Sequence, residues 1–304
     1  MFGFLAARLI QALVTLLAVS VVVFALAHMT GNPADVLLPM EATGAQRVAM
    51  IRELGLDQPF PYQYWAFLSR AVRGDFGNSL RTKQPAMDLV ADRFWPSIKL
   101  ASTAMAIAVM ISLPLGVLAA VNRTGIWDRV AMTVALLGQS LPSFFTGVVA
   151  IFVFSVTFEL LPAQGAGTWA HYVLPSITLG WFTSAGVTRL VRSSMLEVLD
   201  SEFVKLARTK GLSEACVVCK HALRNALIPV VTFIGYMYGV IIAAAIATET
   251  VFGWPGLGRL AYEAVTWRDF PLLQAVVLVW ATLIIGINFL VDVAYGVLDP
   301  RIRR

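Results

Sequence analysis

The sequence has few charged residues. Only 13% of its 304 residues are Asp, Glu, Lys or Arg, whereas 58% are hydrophobic. Soluble proteins carry roughly 25% charged residues, so the composition excludes an ordinary soluble protein and predicts a polytopic membrane protein. The net charge of +5 requires no nucleic-acid partner, because positive residues beside membrane spans account for it.

Cysteine and histidine are also scarce, with two and three residues respectively. Two cysteines cannot form a disulfide framework. Cys216 and Cys219 form a C-x-x-C motif close to His221, a spacing that is compatible with redox or metal chemistry. A closed tetrahedral site needs a fourth ligand, and the chain has no other cysteine. We therefore predict ordinary packing for this pair and no metal site.

Motifs that carry catalysis are missing as well. The sequence contains no G-x-x-x-x-G-K-[ST] loop for nucleotide phosphates, no H-E-x-x-H and no G-x-S-x-G. Charge within the apolar runs is sparse; Asp292 is the deepest example, and a structural partner for it is favoured over a proton relay. We predict that the chain is not an enzyme and has neither catalytic nor cofactor-binding residues.

Long apolar runs are what the chain has in abundance. The first run, 9–27, follows Arg8 and exceeds the roughly 7–15 residues of a signal-peptide core, so an uncleaved span is favoured over a cleaved signal peptide. The sequence predicts an all-α protein with six spans and both termini in the cytoplasm, because Lys and Arg concentrate in the segments assigned to that side. The spans are 9–27, 98–121, one within 131–158 that is broken at Leu141-Pro142-Ser143, 172–190, 229–247 and 272–297.

The predicted domain organisation follows from these spans. Residues 1–29 form the first transmembrane helix, and residues 30–97, with balanced charges and many aromatic and turn residues, form an ordered external region. Residues 98–304 form a five-helix transmembrane core. Spans four and five are rich in small residues, which predicts close packing against other helices.

The loop 193–229, between spans four and five, is predicted to be an ordered cytoplasmic helix–Gly–helix. Ser194 is suited to cap a first helix, and Gly211 lies where a left-handed helix stop is expected, followed by Leu212 as its apolar contact. Ser213 is suited to cap a second helix, and Pro229 to open the next apolar run. Such a loop offers a docking surface for a partner, although a loop that merely joins two spans is the simpler alternative.

The stretch EFVKLARTKGLSEACVVCKHALRNALIPVV within this loop resembles the cytoplasmic loop of permease subunits of bacterial ABC importers. It is most similar to the first-permease branch of the dipeptide/oligopeptide/nickel permease family. Three further stretches resemble the same family in the same order, so that the resemblance covers essentially the whole chain. They are ELGLDQPFPYQYWAFLSRAVRGDFGNSL (53–80), GQSLPSFFTG (138–147) and ETVFGWPGLGRLAYEAVTWRDFPLLQ (249–274).

This resemblance implies a set of partners in the bacterial inner membrane. They are a paralogous second permease, two cytoplasmic ATPase subunits, a periplasmic or lipid-anchored solute-binding protein, and membrane lipid, with no nucleic acid. ATP and Mg²⁺ are expected on the ATPase subunits, and no cofactor on this chain.

The resemblance also implies the functional residues. Those expected to couple to the ATPase are Glu202, Lys205, Ala207, Arg208, Gly211 and Leu212, and those of a gate or binding-protein loop are Trp254, Pro255 and Gly256. Many importers have an acidic residue six positions before the glycine, where this chain has Lys205. Glu202 lies one helical turn earlier, so either residue is a candidate partner for the ATPase.

The resemblance therefore implies a transmembrane permease subunit of an ATP-driven importer for dipeptides, oligopeptides or a related solute. A self-contained secondary transporter or channel is the alternative. It is disfavoured because paired interior charges are absent and because a docking loop is present. Dipeptides, longer peptides, glutathione, opines, sugars and nickel all remain open as substrates.

Overall fold

A computed structural model describes residues 2–29, 38, 43–53 and 55–298. The described part of the chain is almost entirely helical, and its only β feature is an isolated bridge between Asn78 and Pro85. This agrees with the predicted all-α class. The beginning of the predicted external region and the C-terminal arginines 301, 303 and 304 lie outside the described residues.

Twelve α-helices follow one another along the described chain, two of them extended by a π-helical segment. They are α1 Phe2–Met29, α2 Gly44–Glu53, α3 Phe60–Ala71, α4 Ala86–Val121, α5 Ile126–Ser140, α6 Ser143–Ala150 with the π-helix Ile151–Thr157, α7 Ala170–Leu199, α8 Glu202–Thr209, α9 Glu214–Cys216 with the π-helix Val217–Ala222, α10 Leu223–Val251, α11 Leu257–Thr266 and α12 Phe270–Leu298.

Four of the described helical stretches are long and apolar enough to cross a membrane: Leu5–Met29, Ala86–Val121, Glu214–Val251 and Phe270–Val293. Helix α5 and the α6 stretch meet at a 103° bend and would together make a fifth span. The predicted break at Leu141-Pro142-Ser143 is thereby confirmed. Helix α7 is long enough but too polar to meet the same criterion, so the six-span topology stays a prediction.

The described chain divides into two compact units. The first contains residues 98–254 and 287–298, and the second contains residues 2–97 and 255–286. In the first unit, a Cβ atom on Gly180 of α7 would lie 2.8 Å from the backbone oxygen of Ala104, and one on Gly235 of α10 would lie 2.6 Å from Val291. The close packing predicted for these two helices from their small residues is confirmed.

The second unit is built around an aromatic cluster between α1 and α3. Phe24 and Phe67 stack with ring centroids 5.3 Å apart, and Leu278 of α12 packs against them. The hydroxyls of Ser20 and Tyr64 lie 2.8 Å apart, and the His28 ring lies 2.8 Å from the Gln63 amide oxygen. Part of the predicted external region is therefore held directly against the first span.

The second span was predicted to begin at Ile98, but helix α4 begins at Ala86. Residues 86–97, which were assigned to the external region, belong to the same continuous helix. Pro85 precedes it, and Asp88 lies in its first turn, where a negative charge stabilises the helix N-terminus. Val90 is buried, so this extension also packs against the protein.

Two details of the predicted 193–229 loop are wrong. Ser194 does not cap a helix, because α7 continues to Leu199 and carries Ser194 inside it; Val191 and Met195 extend its buried face through this point. Pro229 does not open a run but lies within α10. Ala226 and Val230 are buried on the same face of that helix, which favours its continuation past the proline.

Candidate functional site

Helix α8 is a short amphipathic helix between the long helices α7 and α10. Ser201 occupies its N-cap position with an extended backbone (φ −73°, ψ 152°), and Glu202 opens the first turn. Val204 and Ala207, three residues apart, are 0% and 7% exposed. The opposite face bears Phe203, Leu206 and the charged residues, because a spacing of three or four places side chains on one side of a helix.

The buried face of α8 packs into a single apolar cluster. Its members come from the end of α4, from α7, from α8 itself and from the helical stretch 217–230, and they are Ala120, Val187, Val191, Met195, Val204, Ala207, Val217, Val218, Ala222, Ala226 and Val230. Ala207 is among them, so a larger side chain there would overpack the cluster. The expected coupling residue Ala207 therefore fixes α8 in place rather than presenting a contact surface.

Helix α8 ends at Gly211 by the predicted left-handed stop. Gly211 has φ +76°, and its N–H donates to the Arg208 carbonyl at 2.9 Å while the Leu212 N–H donates to the Ala207 carbonyl at 3.4 Å. These two bonds form the Schellman motif, which satisfies carbonyls left over at a helix end. We call residues 201–216 the Gly211 turn. Ser213 occupies the next N-cap position, as predicted.

Two ion pairs order the surface of the Gly211 turn. Arg208 donates to both oxygens of Glu214, at 2.7 and 3.2 Å, and so bridges the two helices across the glycine. Lys205 donates to Glu202 at 2.7 Å, a hydrogen bond that raises the pKa of the Lys205 amine. Because the four side chains are 42–88% exposed, these pairs add little stability and act mainly by orienting the charges.

An exposed apolar strip remains on the outer side of the turn. Phe203, Leu206 and Leu212 are 46%, 55% and 39% exposed, and the Lys205–Glu202 pair lies on the same helix. A mixed apolar and charged surface, on a helix whose opposite face is locked into a core, is suited to docking another protein.

The C-x-x-C motif lies where α9 passes into the π-helix Val217–Ala222. Cys216 is half-buried, Cys219 is exposed, and both thiols are free. Within the residues that the structure describes, no group of three or more His, Cys, Asp or Glu side chains is arranged to hold a metal ion. The geometry therefore gives no support to a metal site at this motif.

The Trp254-Pro255-Gly256 turn follows α10. Trp254 is 1% exposed, and its ring lies edge-on to Tyr172 with a centroid distance of 4.5 Å. Its backbone N–H donates to the Glu249 carbonyl at 2.8 Å. Gly256 is the N-cap of α11. In this conformation Trp254 is packed inside its unit, so contact with a substrate requires a movement, and the gate role stays a prediction.

Sequence reasoning missed two buried carboxylates. Both carboxylate oxygens of Asp128 in α5 accept hydrogen bonds from the Arg192 guanidinium of α7, at 2.6 and 2.7 Å. Asp269 is fully buried and accepts a hydrogen bond from the Ser79 hydroxyl. Both contacts join residues that are distant in sequence. The one available sequence signal was a charged residue close to the end of a predicted span. That signal does not identify the residue that pairs with it.

Comparison with known proteins places this geometry in a class. The chain matches the family of inner membrane components of binding-protein-dependent transport systems over residues 112–304, and the corresponding N-terminal family over residues 1–101. The chain therefore belongs to the binding-protein-dependent transport permeases.

Relatives within this class resemble the chain over its whole length. It is 44% identical to the glutathione transport system permease protein GsiC of Escherichia coli (strain K12) over 305 residues, covering 100% of this chain and 99% of that protein. The protein of the same name from Shigella flexneri serotype 5b (strain 8401) has the same identity and coverage.

Solved structures show the same fold at low sequence identity. The MetNI methionine ABC transporter, in inward-facing conformations, gives a TM-score of 0.58 with 19% identity, over 70% of this chain and 97% of that chain. An amino acid ABC transporter crystallised with histidines gives a TM-score of 0.55 with 17% identity, over 69% and 94%.

These findings confirm the central predictions. The chain is a multi-pass permease subunit of an ABC importer in the bacterial inner membrane, almost entirely helical in its described residues, and it is not itself the catalytic subunit.

Proposed function

We propose that this chain forms one half of the translocation path of an ATP-driven importer for glutathione or a similarly short peptide. The substrate class is supported by the full-length 44% identity to permeases named for glutathione transport. A paralogous second permease supplies the other half, and substrate passes between them by alternating access. Membrane lipid surrounds the exposed apolar faces of the spanning helices.

The energy for transport comes from separate ATPase subunits that bind ATP and Mg²⁺. The absence of a phosphate-binding loop in the full sequence supports this division. In this proposal the Gly211 turn lies on the cytoplasmic side, because cytoplasmic loops are enriched in Lys and Arg. The turn and the residues that follow it contain five such residues: Lys205, Arg208, Lys210, Lys220 and Arg224. A solute-binding protein delivers substrate on the opposite side.

One observation carries the coupling proposal: α8 is exposed on its outer face and locked on its inner face. Leu206 is 55% exposed, whereas Val204 belongs to the cluster that also contains Val191 of α7 and Ala226 of α10. Protein cores are close-packed and transmit displacement rather than absorb it. A push on α8 by an ATPase subunit therefore moves α7 and α10 with it.

Reconstitution of the purified complex tests this function. A tagged form of the chain is isolated in mild detergent, its co-purifying proteins are identified, and the complex is placed in liposomes with labelled glutathione. We expect a second permease, ATPase subunits and a solute-binding protein, and uptake that needs both ATP and the binding protein. A dipeptide and an amino acid, offered as competitors, delimit the substrate class.

The contrary result is equally clear. If the chain purifies alone and an ion gradient, without ATP, drives its uptake of glutathione, the chain is a secondary transporter and the coupling proposal is wrong. If the complex contains ATPase subunits and a binding protein that stimulates ATP hydrolysis but carries no labelled glutathione, the importer stands and the substrate proposal fails.

A further inference from the structure

A short hairpin precedes helix α4 in the second unit. Within residues 77–86, which we call the Ser79 hairpin, the Ser79 N–H donates to the Gln84 carbonyl at 2.8 Å and the Ala86 N–H donates to the Gly77 carbonyl at 2.9 Å. The Lys83 N–H donates a hydrogen bond to the Ser79 carbonyl at 3.0 Å. Residues 81–85 are exposed, so the hairpin presents an ordered tip.

A buried carboxylate clamps this hairpin to the turn between α11 and α12. Asp269 is fully buried and accepts the Ser79 hydroxyl, the Arg81 N–H at 3.4 Å and the Leu272 N–H at 3.3 Å. The Ser79 oxygen in turn accepts the Thr82 N–H at 3.1 Å. Because an unsatisfied buried carboxylate is costly, this arrangement favours a single position of the tip.

The clamp holds three cationic side chains at the surface. The guanidinium carbon of Arg81 lies 3.9 Å from the centroid of the Trp267 ring, a cation–π contact that orients it. Lys83 and Arg268 are exposed and have φ angles of 61° and 52°. A non-glycine residue rarely adopts such an angle unless its surroundings impose it.

The charges of this cationic tip (Arg81, Lys83 and Arg268) are available to a partner. Among the described residues, none of the three forms an ion pair. Asp269, the carboxylate next to Arg268 in the chain, is fully buried and serves the clamp, so it is not an exposed counter-ion for the tip. The tip is therefore an exposed positive patch on a rigid support.

The course of α4 favours a protein over lipid as this partner. The hairpin joins α4 at Ala86, and the apolar run of that helix begins at Ile98, about 18 Å further along at 1.5 Å per residue. Asp88, Asp92 and Arg93 lie between them. That stretch is too charged for the hydrocarbon layer, and as a continuous helix of about 18 Å it is long enough to hold the tip beyond the headgroups.

We propose that the cationic tip is the docking surface for an acidic patch on the solute-binding protein. The inference rests on the proposed function, because it assigns a surface and a partner chemistry to the delivery step. Opposite charges accelerate encounter and select the partner without requiring a large buried area. The contact is then sensitive to ionic strength, since exposed charges are screened within about 8–10 Å at physiological salt.

Site-specific photo-crosslinking in cells tests the proposal. A benzophenone amino acid replaces Thr82 at the tip of the hairpin in the complete importer, and the irradiated adducts are identified by mass spectrometry. We expect a covalent adduct with the solute-binding protein. The double variant Arg81→Glu with Lys83→Glu should lower its yield at least fivefold and raise the binding-protein concentration for half-maximal uptake about tenfold, without changing the maximal rate.

A matched control separates local charge from net charge. Arg52 is an exposed arginine of α2, outside residues 77–86, and Arg52→Glu reverses one charge as the single variant Lys83→Glu does, but it should leave both readouts near the unmodified values. An adduct with phospholipid assigns the tip to the membrane surface and overturns the proposal. So does an adduct whose yield is insensitive to the charge reversal, or no adduct while uptake proceeds.

Uptake by the unmodified complex is measured in parallel. If it depends on ATP and the binding protein while the tip variants behave normally, only the docking surface is wrong. If the unmodified complex shows no such dependence, the proposed function fails and the docking proposal falls with it.

Discussion

The Gly211 turn and the Ser79 hairpin both present an exposed surface on a fixed support, and the supports differ. The Gly211 turn is held by apolar burial, through Val204 and Ala207 in a cluster of helices. The Ser79 hairpin is held by one fully buried carboxylate, Asp269, from 190 residues further along the chain. Each support depends on a different kind of interaction and should fail in a different way.

The two supports should respond differently to substitution of a single side chain. Apolar contacts are numerous and individually small, so trimming one side chain weakens the support gradually. A buried polar group is costly when its partner is lost, because it then lacks compensation for the water it gave up. We therefore expect graded effects at the apolar core of the Gly211 turn and abrupt ones at Asp269. The backbone at Gly211 is the exception, since a left-handed residue is also hard to replace.

The largest effect is expected for Gly211→Val. Nothing lies within 4 Å of a Cβ atom built at Gly211, so the cost arises from the backbone, where the φ of +76° is strongly disfavoured for a β-branched residue. ATP-driven uptake should fall at least tenfold while the subunit stays in the membrane. Uptake and membrane abundance are measured together.

Gly211→Asn is the matched control, because asparagine tolerates the left-handed conformation. It should retain most of the uptake. Normal transport and normal ATPase coupling in the valine variant would show that the coupling turn lies elsewhere.

The next effect is expected at the clamp, with Ser79→Ala. Removing this donor leaves a buried oxygen of Asp269 with only the weak Arg81 N–H bond, at a cost of about 1–3 kcal/mol. Residues 77–86 should become more accessible, seen as faster protease cleavage and a lower melting temperature of the complex. Thr82→Ala, which removes an exposed hydroxyl of the same hairpin and with it only a long 3.5 Å bond from the Gln84 N–H, is the control. Equal protease resistance in all three proteins contradicts the clamp.

A matched pair on α8 separates support from docking. Val204→Ala removes two methyl groups from the buried cluster and should destabilise the subunit by about 1–2 kcal/mol. Leu206→Ala changes an exposed side chain and should alter stability by less than about 0.5 kcal/mol while reducing coupled uptake several-fold. Thermal melting and uptake are measured for both. The assignment of the two faces is wrong if Leu206→Ala destabilises and leaves coupling intact.

The smallest effect is expected for the Arg208–Glu214 pair. Both side chains are about half exposed, and such pairs contribute roughly 0–1 kcal/mol. A double-mutant cycle with Arg208→Ala and Glu214→Ala should give a coupling energy below about 1 kcal/mol in melting experiments, decreasing as salt is added. A larger, salt-independent value would mean that the pair supports the turn as strongly as the core does.

The sequence predicted the Gly211 turn well because its determinants are local. Glycine at the stop and serine at the following N-cap lie within one short segment, and the structure has both where they were expected. The break at Leu141-Pro142-Ser143 was found for the same reason. Helix ends set by tertiary packing were missed, as at Ser194, Pro229 and the start of α4.

The sequence by itself determined the class of protein, the apolar helices, the helix–Gly–helix and, through its resemblance, the transport role. These depend on composition, on short-range periodicity and on single residues with special backbone preferences. Only the tertiary structure decided that Ala207 is a packing residue and that Trp254 is buried. It also decided the two polar pairs, Ser79 with Asp269 and Asp128 with Arg192. A buried hydrogen bond between distant residues leaves no periodic trace, because it is specified by the folded geometry that brings them together.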